Sequence, residues 1–487
     1  MPETATISTI PAEALEALRR IVGESSVLSA HEQVLVYECD GFVIEKNTPD
    51  CVVFPETTEH VVAIVKLCNE YKIPFVPRGA GTSLAGGCLP VGGGVMIALT
   101  RMRGIHDVNL RDHYAVVGPG TVNVHLTQHL KGTGFHYAPD PSSQGACTIG
   151  GNVATNSGGP HTLKYGVTVN HVLGAEVVLP DGEVVQFGGY TEDNPGYDLT
   201  GLFVGSEGTF GVCTKVTVRL TRDPVAYRTM LGVFETVEDA TQAISGIIGA
   251  GIVPAALELM DQGIIEAVEP AFHFGFPLDA GAVLLIEVDG LEVAVDGEAE
   301  QIVELCEQNN AREVRKADSP QQRDLLWKCR KKAFGAIGRL SPSYCTQDGV
   351  VPRTKLPEIL KFITEASARH DIRIVNVFHA GDGNIHPILL FDERDAEQIK
   401  RVLLASDEIL NRCIELGGSV TGEHGIGVEK INFMNKLFTE ADLETMESVR
   451  LAFNPTGLCS PQKMLPTAGA CGMEHIEKSH PARRAAL

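Results

Sequence analysis

Residues 73–87 read Ile-Pro-Phe-Val-Pro-Arg-Gly-Ala-Gly-Thr-Ser-Leu-Ala-Gly-Gly, a short apolar run that breaks into a glycine-rich loop. Upstream lie a second apolar run, Cys51-Val52-Val53-Phe54, and a helical spacing of Val61, Ile64, Val65 and Cys68. From Cys51 to about Thr100 the order is strand, helix, strand, glycine loop, strand, which makes a βαβ-like unit. Across Pro77, Arg78, Gly79, Ala80, Gly81, Thr82 and Ser83 the glycines free backbone N–H groups to line a concave loop. The hydroxyls of Thr82 and Ser83 add donors, the means by which such a loop holds a diphosphate. The third glycine of G-x-G-x-x-G is missing, and the chain has no G-K-[ST] phosphate loop. Taken alone, the loop also suits a glycine-rich turn with no ligand.

Two more stretches share its character. Pro139-Asp140-Pro141-Ser142-Ser143-Gln144-Gly145 runs into Cys147-Thr148-Ile149-Gly150-Gly151-Asn152 and Asn156-Ser157-Gly158-Gly159. So much small, polar backbone makes a poor core, and a large polar ligand threading through it would account for it. Gly205-Ser206-Glu207-Gly208-Thr209-Phe210-Gly211 precedes a strong strand in the same manner. Between Ala115 and Leu220 short β-rich pieces (AVVG, GAEVVL, EVVQF, TKVTVRL) alternate with loops, so the arrangement is α+β and not a regular Rossmann alternation.

The 487 residues allow about three domains. A net charge of −22 (40 Lys+Arg, 62 Asp+Glu) excludes nonspecific nucleic-acid binding. No apolar run is long enough to span a bilayer and the N-terminus has no secretory pattern, so the expectation is a cytoplasmic protein. The 12 Cys include no C-x-x-C, leaving no iron–sulfur or zinc-ribbon site, and most are expected to be buried in a reducing compartment. Residues 229–311 hold sixteen acids and no Lys or Arg, which reads as a second, layered domain with a solvated acidic face. Residues 312–339 then carry nine Lys+Arg and three acids.

Together, PRGAGTSLAGG, PDPSSQ…TIGGNVATNSGG…KYG and GSEGTFG resemble the FAD-binding domain of vanillyl-alcohol oxidase type flavoproteins. HAGDGNIHP, GEHGIG and the closing FNPTG…K extend the resemblance to the family of the FAD-linked subunit of bacterial glycolate oxidase, with D-lactate dehydrogenases close by. It runs from about Tyr37 to Pro466. The chain departs from the family near its end, where Gly457-Leu458-Cys459-Ser460-Pro461-Gln462-Lys463 stands in place of Asn-Pro-Gly-Lys.

The resemblance implies that Arg78 to Ser83 hold the FAD diphosphate. It also implies that Pro139, Asp140, Pro141, Ser142, Ser143, Thr148, Ile149, Gly150, Gly151 and Asn152 line the isoalloxazine and ribityl region, with Gly158 and Glu207 nearby. Some superfamily members tether FAD to a His in the first loop; Ala80, Gly81 and Thr82 occupy that neighbourhood here, so the FAD is expected to be noncovalent.

His379 and His386 bracket the turn Ala380-Gly381-Asp382-Gly383-Asn384 of a hairpin. In the simplest register the imidazoles face each other with Cβ atoms about 5 Å apart, and Glu423 could complete a two-His, one-carboxylate site. From spacing alone, two His hydrogen-bonded across a hairpin is the favoured reading, and the resemblance reverses it. The resemblance implies a divalent metal (Zn, Mn or Fe) on His379, His386 and Glu423. His424 is the candidate general base, since imidazole suits the loss of a hydroxyl proton near neutral pH; the plain alternative is a structural turn histidine. Arg330 matches the carboxylate-binding arginine of the resembling enzymes, and its planar fork suits bidentate pairing, while Lys331 and Lys332 read as a solvated helix face. After His386, Pro387-Ile388-Leu389-Leu390 favours a small monocarboxylate.

The expectation is a two-lobed α+β flavoprotein: an N-terminal helical segment (1–29), an FAD-binding domain (30–225), an α+β cap (226–430), a C-terminal helical segment returning to the FAD lobe (431–466) and a tail (467–487). It would oxidise glycolate, or D-lactate as alternative, to the 2-oxo acid and pass electrons to a separate acceptor. The resemblance implies a second flavin-domain-like subunit and an iron–sulfur subunit as partners, with at most peripheral membrane association through them. Two readings from other classes are a flavin-free metal hydrolase and a non-catalytic FAD-binding scaffold.

Overall fold

The computed structural model describes residues 10–192 and 195–466; the proposed tail at 467–487 lies outside them. The chain clusters into two units. One contains residues up to 157, residues 167–222 and the segment from 424 onward; the other contains 158–166 and 223–423.

The first unit opens with the helix Ala12–Val22, whose Ala14 and Leu18 are buried in a core shared with the helix Thr58–Tyr71. That second helix starts where Thr57 Oγ1 accepts the His60 amide at 3.2 Å, and it stops at Lys72 in the left-handed region. Its Val61, Ile64, Val65 and Cys68 form the buried stripe. They cover a four-stranded sheet ordered Val27–Leu28, Cys51–Val53, Val95–Ala98, Phe75–Arg78, in which the last three strands run parallel. The βαβ reading is therefore seen directly, with Val95–Ala98 inserted between the two flanking strands.

A five-stranded antiparallel sheet follows, ordered Ile105–Asn109, Tyr114–Val117, Val212–Arg219, Val172–Val178, Val184–Gly188. The C-terminal helix Glu440–Phe453 begins at a reciprocal Thr439–Asp442 cap. Beyond it the chain pairs with the first sheet: the Phe75 amide donates to Leu458 O at 2.9 Å and the Ser460 amide to Phe75 O at 2.8 Å.

The second unit is built on one antiparallel sheet ordered Ala311–Lys316, Ala226–Phe234, Ala282–Gly290, Ala256–Asp261, Ile374–His379, Asn384–Phe391, Ser343–Thr346, with Gly349–Val350 also paired to Asn384–Phe391. Period-2 alternation sorts its residues into two cores. Leu257, Leu259, Leu284, Ile286, Phe378 and Ile385 face the helices Val237–Gly249, Glu292–Gln308 and Leu356–His370. Met260, Val283, Val375, Val377, Ile388 and Leu390 face Gln262–Phe272 and Pro320–Ile337. By the same alternation Glu258, Glu287, Asp289, His379 and His386 all lie on this second face.

The acidic stretch is not wholly a solvated face. Glu258, Asp261, Glu287 and Asp289, four of its sixteen acids, are buried, each against donors. A buried carboxylate needs such partners, so these four are structural or chemical and the rest are surface charge. Among the described residues ten of the eleven cysteines are buried and none forms a disulfide. No helix among them is long and apolar enough to cross a membrane.

Candidate functional site

In the first unit the three glycine-rich stretches converge. A Cβ on Gly79 would lie 2.5 Å from Thr148 Oγ1, one on Gly208 2.7 Å from Pro77 Cγ, and one on Gly87 3.8 Å from Glu207 Oε2. The Glu207 amide donates to Ala154 O at 2.8 Å, tying the third stretch to the second. Ser83 Oγ is buried with no hydrogen-bond partner among the described residues, in a loop whose Gly81 sits at φ 72°. An orphaned hydroxyl within converging backbone loops is what a polar, phosphate-bearing ligand would satisfy, so the residues fit a bound dinucleotide.

Several of the expected cofactor residues support the loops through their own bonds. The Arg78 guanidinium donates to Cys39 O at 3.0 Å and to Cys88 Sγ at 3.2 Å, and a Cβ on Gly81 would strike its Nη2 at 2.0 Å. It is thus packed beneath the loop and fixes the loop's shape. Asn123 Nδ2 donates to Pro139 O and to Asn152 Oδ1, each at 3.0 Å, which joins the two ends of the second stretch. Thr148 caps the short helix Ile149–Thr155 by accepting the Gly151 amide. Glu207 accepts the Ile426 and Gly427 amides, both at 2.7 Å, so its carboxylate grips the segment that follows His424. Burial pushes the Glu207 carboxyl up from its ordinary pKa. Lys463, in the divergent C-terminal sequence, donates to Gly87 O at 2.6 Å, and burial lowers its ammonium to about 8.

The second unit holds a different cluster. The hairpin register pairs His379 with Asn384 and His386 with Val377, so the two histidines are diagonal neighbours on one face and not directly opposite as the simplest register predicts. The cause is a four-residue turn, Ala380 to Gly383, with Gly383 at φ 82°. The rings still meet edge to face with centroids 5.1 Å apart. Glu423 Oε1 lies 3.3 Å from His379 Nε2 and 3.1 Å from His386 Nε2, and the potential ligand atoms of the three residues all lie within 4.8 Å of one another.

Each of the three has its own support. His379 Nδ1 lies 2.8 and 3.0 Å from the two oxygens of Glu258; His386 Nδ1 lies 3.3 Å from Gln347 O. Asp348 Oδ2 accepts Thr421 Oγ1 at 2.6 Å and the Gly422 and Glu423 amides at 2.9 and 3.1 Å. With Nδ1 of each ring engaged, both Nε2 atoms are directed to a common point, the arrangement metal-ligating histidines adopt. The donor set of two imidazoles and a carboxylate fits zinc, manganese or iron. Burial opposes charge on His379, yet Glu258 and Glu423 hold its pKa well above the ordinary value. Burial likewise raises Glu423, but His379 and His386 more than offset it and hold the carboxyl well below the usual range. Proton and metal ion therefore compete for the same nitrogens.

Arg330, on the helix Pro320–Ile337, is wholly buried. Its Nε donates to Glu258 Oε2 at 2.6 Å, while Nη1 and Nη2 have no hydrogen-bond partner among the described residues. Two further residues of that helix face the sheet: Arg323 donates twice to Glu287 and Trp327 Nε1 once, all at 2.7 Å. His161 stacks on Trp327 with centroids 4.9 Å apart, and Lys164 and Tyr165 bond Asp289, which explains why 158–166 clusters with this unit. Gly158, grouped by sequence with the flavin loops, lies against Glu423: a Cβ there would be 2.9 Å from its Oε2.

Sequence reasoning did not single out Glu258, Gln347 or Asp348. The signal for Glu258 was present, since Ala256-Leu257-Glu258-Leu259-Met260 places one acid inside an otherwise apolar strand.

Residues 49–188 match the FAD binding domain family and residues 224–464 match the family described as FAD linked oxidases, C-terminal domain. The glycolate oxidase subunit GlcD of Escherichia coli (strain K12) is 44% identical over 469 residues, covering 96% of this chain and 94% of its own. A D-lactate dehydrogenase of Anaerostipes hadrus is 34% identical, covering 89% and 92%. Among solved structures, p-cresol methylhydroxylase with substrate bound superposes with a TM-score of 0.80 at 17% identity, covering 93% of this chain and 96% of that one. That likeness is one of fold, an FAD-binding domain of vanillyl-alcohol oxidase type with an α+β second domain. The chain belongs to the FAD-linked oxidase family of glycolate oxidase subunit GlcD.

Proposed function

We propose that this FAD-linked oxidoreductase oxidises a small 2-hydroxy acid, with glycolate the first candidate and D-lactate the second, to the corresponding 2-oxo acid. The observation that carries the reading is Arg330: a wholly buried guanidinium held by one edge, its two Nη groups without a hydrogen-bond partner among the described residues, on the same carboxylate as His379 of the His379, His386 and Glu423 trio. An arginine edge of that kind is complementary to a carboxylate. Ile388 and Leu390, which follow His386 on its face of the sheet, are packed into the apolar core, which supports a substrate without a second charged end.

In this reading Arg330 fixes the substrate carboxylate and His424 takes the hydroxyl proton on an imidazole nitrogen. FAD, when bound by the loops around Ser83, Thr148 and Gly150, supplies the acceptor at N5 for the Cα hydride. A divalent cation on His379, His386 and Glu423 would supply Lewis acidity at the substrate oxygens. Loss of one hydride and one proton leaves the carbonyl of the 2-oxo acid. The sequence holds no C-x-x-C for a relay, so electrons would leave for a separate acceptor, and the name of the E. coli relative as a subunit supports partners carrying it. Family membership disfavours the flavin-free hydrolase, and the residues for base, cation and metal disfavour a mere scaffold.

The test is anaerobic reduction of the purified flavoprotein by a panel of D- and L-2-hydroxy acids, with and without chelator. Glycolate or D-lactate should bleach the flavin in a chelator-sensitive manner. Bleaching by none of the panel would end the reading.

A further inference from the structure

Glu258 is the one acid in the interior of an apolar strand that ends at Asp261, and it is wholly buried. Two elements far apart in sequence meet on its carboxylate. From the helix Pro320–Ile337, Arg330 Nε donates to Oε2; from the hairpin, His379 Nδ1 approaches both oxygens. Glu258 pairs with His379 across adjacent strands, which holds their separation to the sheet spacing.

The two partners need different things from this one group. Arg330 has a side chain with many rotamers, and its Nη atoms make no hydrogen bond among the described residues, so the Nε contact is what sets the plane of the fork. His379 needs its proton on Nδ1 if Nε2 is to present a lone pair beside Glu423. An ionised carboxylate at Nδ1 selects that tautomer, and a neutral amide does not select it as strongly. The Asp348 carboxylate does a comparable task for the Glu423 backbone.

We infer that Glu258 is a positioning residue serving both ends of the site, orienting Arg330 for the substrate carboxylate and holding His379 as the Nδ1–H tautomer for a divalent cation. The inference rests on the reading given under Proposed function. Substrate and metal then share one strut, and disturbing it weakens both. Glutamine at 258 keeps the size but offers one carbonyl oxygen, and its NH2 group faces another donor.

The experiment uses the full-length flavoprotein stripped of metal. Zn²⁺ affinity is measured by competition with a chromophoric chelator, and half-saturation for the best 2-hydroxy acid is measured from anaerobic flavin reduction at saturating metal. Glu258→Gln should weaken Zn²⁺ binding by about 10- to 100-fold. It should also raise the half-saturating substrate concentration by at least about 10-fold, with FAD content unchanged. Zn²⁺ affinity within about two-fold of wild type, or weakened metal with unaltered half-saturation, overturns the inference. Should the Gln variant not fold, Glu258→Asp keeps the charge but is too short to span both partners. It should then lose about five-fold or more at one end, and no change at either end overturns the inference. His386→Ala separates this from the parent reading. If wild type binds no Zn²⁺, or the loss of His386 leaves binding intact, the metal reading fails and takes the inference with it. If His386→Ala abolishes binding while changes at Glu258 do nothing, the inference alone falls.

Discussion

Arg323 meets Glu287 fork to fork, Nε to Oε2 and Nη2 to Oε1, both at 2.7 Å. The carboxylate is wholly buried and also accepts Trp327 Nε1 and Thr229 Oγ1, so four donors converge on it. The pair seats the helix that carries Arg330. Removing the carboxylate with Glu287→Ala leaves the buried Trp327 and Thr229 donors and the half-buried Arg323 without this acceptor, and stability in urea should fall by about 3 kcal/mol. Burial raises the Glu287 carboxyl, but His161 and Arg323 more than offset it and bring it to about 2 from an ordinary 4.5. Its folded pKa is depressed, so its contribution is present above the ordinary value and disappears as pH falls through about 2. The gap between wild type and variant should narrow across that window; a gap independent of pH would contradict the assignment.

Asp348 controls where Glu423 sits. Its Oδ2 holds Thr421, Gly422 and Glu423 together, and Gly422 has no room for a side chain because a Cβ would lie 2.7 Å from the Asn384 amide. Asp348→Asn keeps an oxygen there but removes the charge that strengthens three hydrogen bonds. Metal affinity should drop by about 10-fold or more while FAD remains bound. Wild-type affinity in a chelator competition would show that the trio does not need this grip.

His424→Gln should slow flavin reduction by substrate by about 10²- to 10⁴-fold, the usual worth of a positioned base. FAD absorbance should be unchanged, since Glu207 holds this segment through the amides of residues 426 and 427 and not through the imidazole. A stopped-flow trace with the wild-type rate would exclude His424 from proton removal.

The first loop offers Ala80, Gly81 and Thr82 and no histidine to attack a flavin methyl group. Acid precipitation should therefore leave the yellow cofactor in the supernatant. Flavin retained on the pellet would mean a covalent bond at another residue.

The sequence made the loops legible because glycine spacing reports backbone constraint directly, and Gly79 and Gly208 are at close approaches between stretches. It made the hairpin legible through its turn residues, but not the register. Whether His386 faces His379 or Val377 depends on turn length, and one residue of slip would have moved it to the other face. Charge counting could not separate the buried acids of the acidic stretch from its surface charge for a related reason: Glu258 and Glu287 are buried because Arg330 and Arg323, some 70 and 36 residues later, come back to meet them. Such pairing is set by the sheet order and leaves no local trace. Gly158 was grouped with its sequence neighbours, whereas the His161–Trp327 stack and the Lys164 and Tyr165 bonds to Asp289 fix its segment elsewhere.

That short segment has a practical consequence for dissecting the protein. The chain passes between its two units at 157/158, 166/167, 222/223 and 423/424. A fragment cut at 223 and 423 would contain the whole sheet yet lack the His161 ring over Trp327 and the two partners of Asp289. Its counterpart would keep nine residues whose anchors had been removed. Either half would lose those contacts, whereas a circular permutant opened within an exposed loop keeps them.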